Sequence, residues 1–523
     1  MKQGISSAKL DIGLSLMSPF VFGLLALTQK QDVNSDLLGY HYYVGYSFFS
    51  GSWLHDSMPA GDQSYLEPLL NIFYYLLIRT APPMAVGFII GCLQGLVFVS
   101  LYWISGYFTE EIKSRPIRFL IRLLGALSGV YATDFLSELG NTMGDTLTGV
   151  FSVVGFGSLL KARQEGRRIF ESLSGVSFGI AAGLKLTNGI YLLGILVTLG
   201  IVALFFREQI FPLIRVAISG VAGFLLVGGY WIWALWKRFE NPIFPFYNRF
   251  FHSSYAIFSN FSDTRWFPHS LTEWMFFPFF FTPSHQIMEL SVENFAFMFI
   301  YTLIITYLIV KMVSIVRRSK ESLRLSENER LLLIFFGVSF VIWELVFSYY
   351  RYLSPLESLA PMAILVLLRQ LLEKIYTVVY VGILVFMAFH IEYPDWGRIP
   401  WGKSYFGVET SGLHLPQSAM VLVGSHLPVF LIPDLPRGFV YVRIARSDFR
   451  SDFWRLRDRV RISRYDGPVF LLTDKATLHG NKTDLEWFGM TMPVNPDCRT
   501  IPNRVDPSLI LCQIPKGPPK LNP

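Results

Sequence analysis

The chain has 523 residues, of which 52% are hydrophobic, 16% are aromatic and only 16% are charged. Soluble proteins carry about 25% charged residues, so this composition excludes an ordinary soluble enzyme and indicates a protein with many membrane spans. The net charge of +7 does not indicate a nucleic-acid partner, because the basic residues lie between apolar segments, where they set membrane orientation.

Apolar segments of roughly 20 residues, the length that crosses about 30 Å of hydrocarbon, recur along the first three quarters of the chain. We predict an α-helical polytopic membrane protein with about eleven transmembrane helices. They lie near residues 12–28, 83–107, 117–133, 146–161, 173–187, 189–206, 214–236, 295–314, 330–348, 357–372 and 375–391. Lys and Arg concentrate in alternate loops, for example at 113–122 and 161–168, which predicts a cytoplasmic N-terminus. An odd number of spans then places the C-terminus outside.

The first outer loop, residues 32–67, is acidic and aromatic and contains no Lys or Arg. A carboxylate at a water-poor membrane edge can be tuned by desolvation to act as a general base toward a hydroxyl. We assign that role to Asp36, with Asp56 and Asp62 as alternatives; the opposing interpretation is a loop carboxylate without a role. Asp56 is also expected to contact the substrate.

Aromatic and histidine side chains follow Asp36 directly. If this segment is helical, Tyr40 and Tyr43 share the face of Asp36. Tyr40 and His41 are expected to bind substrate, with His41 either orienting a phosphate or simply hydrogen-bonded within the fold. The apolar segment 64–78 is short for a span and predicts a helix lying on the membrane surface.

The second outer loop, SELGNTMGD at 137–145, holds Glu138 and Asp145 without a basic neighbour. Gly140 and Gly144 favour a loop over a continuous helix. Acids at the end of a span are costly unless they are paired, so both residues are candidates for substrate binding. A divalent cation that joins them to phosphate oxygens is one interpretation, and solvated loop acids are the other. No cofactor is certain from the sequence.

Two basic residues lie at the outer ends of spans, where the positive-inside rule disfavours Lys and Arg. They are Lys185 in GLKLTNG and Arg351 in YYRYLSP. A lipid phosphate would explain them, because Arg binds it with two hydrogen bonds and Lys acts as a point charge. Snorkelling to lipid headgroups is the alternative. Tyr352, beside Arg351, completes the expected binding residues.

Residues 237–291 are rich in proline and aromatic residues, which predicts short interfacial helices. From about residue 393 the chain becomes more charged, and the β-prone segments MVLVGS, PVFLIP, FVYVRI, PVFLLTD and LILCQIP flank the helix-like SDFWRLRDRVRISR. We therefore predict a membrane domain at 1–392 and a small extracytoplasmic α/β domain at 393–523. Cys498 and Cys512 fall in its last strands, and in an oxidising compartment we expect a disulfide; buried free thiols are the alternative.

The combination of Asp36 followed by YHYY, the Glu138 and Asp145 loop, Lys185, ENPIFPFYN (240–248) and RYLSP (351–355) resembles the GT-C superfamily of polytopic membrane glycosyltransferases. The resemblance covers about residues 1–392, and the tail resembles the extracytoplasmic domains that such enzymes often carry. It implies a polyprenyl-phosphate-sugar donor, Asp36 as the base, and Asp145 or Glu138 as the second-loop acid. One departure is that the acidic pair often found in the first loop is here a single Asp followed by Leu37.

The expected function is therefore an inverting glycosyltransferase of a bacterial inner membrane, with a periplasmic site and C-terminal domain. Its partners would be the lipid-linked donor, a glycan or lipid acceptor and membrane lipids, without nucleic acid. A polysaccharide polymerase or ligase is the alternative, and it would depend on basic outer-loop residues such as Arg249 or Arg265. A lipid-linked sugar transporter is disfavoured, because the acids lie at the ends of the spans instead of deep within them.

Overall fold

A computed structural model describes residues 2–260, 263–283, 285–317, 323–424, 428–445 and 448–515, with side chains from residue 9 onward. The helices of the first half are α1 (Lys2–Thr28), α2 (Tyr42–Ser50), α3 (Pro68–Thr80), α4 (Pro83–Gln94), α5 (Leu96–Phe108), α6 (Arg115–Val130), α7 (Thr133–Glu138), α8 (Asp145–Glu165), α9 (Arg168–Leu184), α10 (Gly189–Phe206) and α11 (Phe211–Phe239). Those of the second half are α12 (Asn248–Phe251), α13 (Leu271–Phe276), α14 (Ala296–Val316), α15 (Glu327–Val346), α16 (Ser354–Leu372), α17 (Tyr376–Phe389), α18 (Asp452–Arg464) and α19 (Lys482–Trp487).

The predicted spans coincide with long apolar helices. Among the described residues, six helical segments are long and apolar enough to cross a membrane: Lys9–Thr28, Pro83–Phe108, Leu186–Phe206, Phe211–Phe239, Ala296–Val316 and Tyr350–Leu372. The remaining predicted spans correspond to α6, α8, α9, α15 and α17, which are shorter or carry more polar residues. The predicted fold class, a helical polytopic membrane protein with a C-terminal α/β part, is confirmed.

The chain divides into two compact units, and each contains segments that are distant in sequence. The first unit comprises Met1–Gln29, Gly87–Val227 and Ser262–Trp396, and the second comprises Lys30–Val86, Gly228–Phe261 and Gly397–Pro523. The domain boundary near residue 392 that the sequence indicates stays a prediction. In the structure, the tail from Gly397 belongs to the same compact unit as the first outer loop.

The core of the first unit consists of apolar side chains from its helices. Trp343, Phe335 and Phe156 are buried, and the rings of Phe156 and Phe335 stack at 5.1 Å. Helix α15 begins with a capping box, in which Ser326 and Glu329 each bond the other's backbone N–H. In the described part of the segment between α11 and α14, the helical elements are the short helices α12 and α13 and a 3₁₀ turn, Phe277–Phe280, as the prolines of the segment predicted.

The second unit contains a five-stranded sheet with the order β4-β3-β5-β7-β6. Its strands are β3 (Ser418–Val423), β4 (Gly438–Arg443), β5 (Val469–Asp474), β6 (Asp497–Thr500) and β7 (Leu509–Gln513), after the short strands β1 (Gln31–Asp32) and β2 (Arg398–Ile399), which pair with each other. Strand β3 pairs in parallel with β4 and β5, and β7 pairs antiparallel with β5 and β6. All but the first residue of β3 are buried, as expected of a central parallel strand.

Two local predictions in this unit have opposite outcomes. The PVFLIP segment was predicted as a strand, and this prediction is wrong: Val429–Asp434 forms a 3₁₀ helix. Pro428 and Pro433 flank its apolar core, and proline cannot donate a hydrogen bond to a sheet. The predicted disulfide is confirmed, because Cys498 and Cys512 are bonded to each other across the antiparallel strands β6 and β7.

Candidate functional site

The second outer loop is a tight turn in the first unit that begins α8 at Asp145. Gly140 and Gly144 have φ angles of +75° and +88°, a backbone region that residues with side chains rarely adopt. Because Gly144 precedes the first turn of α8, the Asp145 carboxylate lies at the positive end of the helix dipole. The loop predicted from the two glycines is therefore present.

Asp145 forms ion pairs with both of the outer cations found in the sequence. Lys185 Nζ lies 2.6 Å from Asp145 Oδ1, and Arg351 Nε lies 2.8 Å from Asp145 Oδ2. The side chains of Asp145, Lys185 and Arg351 are 4%, 15% and 7% exposed. One carboxylate is thus shared by two cations in this cluster, called the Asp145 cluster below.

Neighbouring groups fix the two cations. Lys185 Nζ also donates to the Met143 carbonyl oxygen at 3.0 Å, and it lies 5.8 Å from the centre of the Tyr352 ring. The Arg351 guanidinium lies 5.5 Å from the Tyr349 ring and 5.4 Å from the Trp396 ring. These contacts hold the charges in place before any ligand binds, and aromatic faces favour a cation next to them.

Glu138, the other acid of this loop, is fully buried in the same turn. The Thr146 N–H donates to Glu138 Oε2 at 2.7 Å. Burial and the like charge of Asp145 raise the pKa of Glu138 to about 8, although Lys185 and Arg351 oppose the shift. Glu138 is therefore mainly protonated near neutral pH, and the negative charge of the loop resides on Asp145.

Two polar residues that the sequence analysis did not select hold the helices around this turn. Gln94 donates from Nε2 to the Glu138 carbonyl oxygen at 2.8 Å and accepts the Gly140 N–H at 2.7 Å. Gln94 lies within an apolar span, and a polar side chain in such a span is the signal that could have indicated it.

Glu357 is the second unselected residue, and it caps the start of α7. Its carboxylate accepts the N–H groups of Thr133 (3.0 Å) and Asp134 (2.9 Å) and the Tyr350 hydroxyl (2.7 Å). It also accepts a hydrogen bond from Asn294. A carboxylate at a helix N-terminus satisfies N–H groups that the helix itself cannot bond. The signal in the sequence was an acid within an apolar span.

The donor set does not fit the divalent cation considered from the sequence. Within the part of the chain that the structure describes, no group of three His, Cys, Asp or Glu side chains could hold a metal ion. Both oxygens of Asp145 already face a cation, and Glu138 is mainly protonated near neutral pH. A hard divalent ion prefers several ionised carboxylates, which this turn does not supply.

The remaining candidates, Asp36, Tyr40, His41 and Asp56, lie in the second unit. Asp36 is partly exposed and immediately precedes a wide helical turn, Leu37–His41, that leads into α2. Tyr40 is 5% exposed and His41 is 4% exposed, and their rings pack at 4.1 Å. His41 Nδ1 is hydrogen-bonded to Asn71 Oδ1. This packed and hydrogen-bonded ring agrees with the alternative interpretation of His41, that of a residue bonded within the fold.

Asp56 connects the first outer loop to the sheet of the second unit. The Tyr43 hydroxyl donates to Asp56 Oδ2 at 2.8 Å, and the Tyr441 N–H donates to Asp56 Oδ1 at 3.0 Å. Tyr43 therefore bonds Asp56, although the helical pattern had grouped it with Asp36. Burial raises the pKa of Asp56 to about 6, while the two donors oppose the rise. With both oxygens occupied by the protein, Asp56 has the environment of a structural residue.

The structure thus brings together Glu138, Asp145, Lys185, Arg351 and Tyr352 in the first unit, and Tyr40 with His41 in the second. The helical arrangement of the chain is similar to that of a solved structure of ArnT.

Two crystal structures of ArnT from Cupriavidus metallidurans match the chain along nearly its whole length. The apo structure is 13% identical, with 98% of each chain covered and a TM-score of 0.51. The structure bound to undecaprenyl phosphate is 11% identical, with 97% of this chain and 98% of that chain covered and a TM-score of 0.48. No model of a protein family and no curated protein matches the sequence. At 13% sequence identity, the comparison shows a similar fold and nothing further about this chain.

Proposed function

We propose that the protein is a membrane glycosyltransferase that moves a sugar from a polyprenyl-phosphate carrier to a glycan or lipid acceptor. The observation that carries the proposal is the Asp145 cluster, in which a buried Arg351 and a partly buried Lys185 share one carboxylate. The whole-length GT-C fold supports the class of reaction. The arrangement of basic loops supports a bacterial inner membrane with the reaction on the periplasmic side.

Lys185 and Arg351 are proposed to bind the carrier phosphate. When the bond between the sugar anomeric carbon and the phosphate oxygen breaks, the phosphate leaves with an additional negative charge. Fixed positive charge in a site that excludes water stabilises that developing charge. Asp145 holds the two cations in position, so that both can face the same phosphate group.

Asp36 is proposed as the general base. The acceptor hydroxyl oxygen forms the new bond to the anomeric carbon, its proton passes to the Asp36 carboxylate, and the configuration of the sugar inverts. The partial exposure of Asp36 is compatible with contact to a substrate hydroxyl, whereas Asp56 is only 3% exposed. This contrast favours Asp36 over Asp56 within the same loop.

The test is mass spectrometry of surface glycans from a deletion strain that is complemented with variants. Loss of one monosaccharide, restored by the wild type but not by Asp36→Asn, is the expected result. Asp56→Asn is the matched control, because it makes the same chemical change in the same loop and is expected to restore the sugar. If Asp56→Asn fails and Asp36→Asn succeeds at equal protein levels, the base is Asp56.

Other outcomes of the same experiment would replace the proposed reaction. Unpolymerised single repeat units in the deletion strain would indicate a polymerase, and dependence on Arg249 or Arg265 would then be expected. An unchanged set of glycans in the deletion strain would contradict the proposed transfer and would favour a transport function.

A further inference from the structure

A cavity of about 540 Å³ lies in the first unit, apart from the residues assigned above. Its lining includes Arg265, Trp266, His285, Gln286 and Glu289. The volume lies within the range of roughly 300–1,000 Å³ that is typical of small-molecule sites. Its residues come from the segment between α11 and α14, for which the sequence predicted only interfacial helices.

The walls of the cavity are fixed by the protein itself. Arg265 forms two hydrogen bonds with Asp263, at 2.8 Å from Nε and 2.6 Å from Nη2. The Trp266 ring packs on Tyr349 with centroids 5.6 Å apart, and the Tyr349 hydroxyl donates to the Glu289 carboxylate. A site whose walls are held in this way loses little side-chain freedom when a ligand binds.

The chemistry of the lining fits a neutral ligand with many hydroxyl groups. Asp263 neutralises Arg265, and Glu289 adds a negative charge, so the cavity does not favour a phosphate. Planar polar side chains such as Gln286 and Glu289 can each hydrogen-bond two neighbouring hydroxyls. Trp266 and Phe267 add aromatic surface to the same lining, which suits the apolar C–H groups on the face of a sugar ring.

The cavity is connected to the Asp145 cluster through one aromatic side chain. The Tyr349 ring contacts Trp266 on the cavity side and lies 5.5 Å from the Arg351 guanidinium. Arg351 in turn pairs with Asp145 at 2.8 Å. A ligand in the cavity would therefore lie near the cations to which the carrier phosphate is assigned.

We propose that this cavity is a binding subsite for a neutral sugar unit of the glycan substrate. The choice of ligand class rests on the proposed function. The sugar could belong to the donor or to the acceptor, since both present the same hydroxyl-rich ring.

The test is saturation-transfer NMR on the purified full-length protein in detergent. The probes are the methyl glycosides of glucose, galactose, mannose and N-acetylglucosamine. At least one probe is expected to bind, and the double variant His285→Ala, Gln286→Ala should bind it at least about tenfold more weakly, as expected for the loss of one or two hydrogen bonds. Thr264→Ala is the matched control, because Thr264 is exposed in the same segment but does not line the cavity.

Absence of binding for every probe, or equal binding by the double variant and the control, would overturn the proposed subsite. The Asp145→Asn variant separates this result from the transferase proposal, because it should lose transfer and keep probe binding. If the deletion strain has unchanged glycans but the double variant loses probe binding, the sugar site stands and the transferase proposal fails.

The deletion strain also distinguishes the two sources of the sugar. The methyl glycoside of the monosaccharide that is missing from its glycans tests the donor, and the unmodified oligosaccharide isolated from it tests the acceptor. Weaker binding of the first by the double variant assigns the cavity to the donor, and weaker binding of the second assigns it to the acceptor. If neither binds more weakly to the double variant than to the Thr264→Ala control, the proposal is wrong.

Discussion

Both units bury ion pairs, but the partners are shared in opposite ways. In the first unit, Lys185 and Arg351 share the single carboxylate of Asp145. In the second unit, the fully buried guanidinium of Arg450 is shared by Asp448 at 2.7 Å and Asp458 at 2.9 Å. The comparison teaches that burial of charge alone does not identify a site, because the Arg450 cluster is buried at least as deeply as the Asp145 cluster.

The two clusters differ in the other hydrogen bonds that their residues form. Arg450 also donates to the Ala445 carbonyl oxygen at 3.1 Å, and Asp458 accepts the Ser57 hydroxyl at 2.5 Å. These contacts join the first outer loop, the end of strand β4 and α18 within the second unit. The Arg450 cluster extends further within the second unit, because Asp448 also pairs with Arg455 at 3.3 Å and with Arg443 at 3.8 Å. It is explained by these structural connections, whereas in the Asp145 cluster one carboxylate pairs with cations from two separate loops.

The largest expected effect is that of Asp145→Asn. This change leaves Lys185 and Arg351 buried next to each other without their counter-ion, and removal of one partner of a buried pair costs about 3–5 kcal/mol of stability. We also expect the transfer rate per folded molecule to fall at least about 100-fold, the scale of losing a preorganised electrostatic contact. Measurements are thermal unfolding and sugar transfer on the same preparation. Retention of transfer by folded Asp145→Asn protein would show that the cluster is only structural.

The next effect tests the opposite cluster through Arg450→Met. Asp458 then loses its ion pair with Arg450, while Asp448 keeps its longer contacts with Arg455 and Arg443. The free energy of unfolding should therefore fall by about 3 kcal/mol, the lower end of the range for breaking a buried pair. Transfer per folded molecule should remain unchanged, because this cluster is assigned no substrate. The measurements are the same as for Asp145→Asn. A specific loss of transfer at normal stability would contradict the distinction between the two clusters.

Much of the helical fold could be predicted from the sequence, because the length and composition of a span are local properties. The C-terminal strands were found for the same reason, except at Val429–Asp434, where the flanking prolines opposed the β-prone composition. The division into units could not be predicted, because it depends on pairings such as Gln31 with Ile399 between segments that are remote in sequence.

The candidate site was predicted residue by residue but not as an arrangement. Asp145, Lys185 and Arg351 were selected because each is a charge in an unusual place, yet nothing local shows that they bind each other across three loops. Asp56 was selected for its charge as well, and its bond to the Tyr441 N–H spans 385 positions. Charge type indicates that a partner is needed, and only the fold determines which partner it is.

A smaller effect is expected from Asp56→Asn, and it depends on pH. Burial raises the pKa of Asp56 from 3.8 to about 6 in the folded protein, so the folded state binds this proton more tightly than the unfolded state. The stability that it contributes is complete below pH 3.8 and is lost as the pH rises through 6, by up to about 3 kcal/mol at about 1.4 kcal/mol for each pH unit. Asparagine can accept the Tyr441 N–H and donate to the Tyr43 hydroxyl oxygen.

The variant should therefore fold and should lack this decrease in stability between about pH 4 and pH 6. Chemical denaturation of both proteins across that range measures the difference. Equal pH dependence in the wild type and Asp56→Asn would show that Asp56 is ionised throughout, in a more polar environment than its burial indicates.

The smallest effect is expected from Glu138→Gln, the neighbour of Asp145 in the same turn. Burial raises the pKa of Glu138 from 4.5 to about 8, so its contribution to stability is complete below pH 4.5 and is lost as the pH rises through 8. Glutamine reproduces the protonated side chain and can accept the Thr146 N–H. At pH 7 we expect transfer close to the wild-type rate and a Tm that is unchanged or higher.

The two variants therefore test whether the loop contains one charged and one neutral carboxyl group. Asp145→Asn should abolish transfer and Glu138→Gln should preserve it, although both remove an acid from the same buried turn. If Glu138→Gln loses transfer at pH 7 while its Tm is maintained, then Glu138 acts as an ionised carboxylate. The division of the turn into one charged and one neutral acid would then be wrong, and Asp145 would no longer be the only carboxylate of this turn available to hold the two cations.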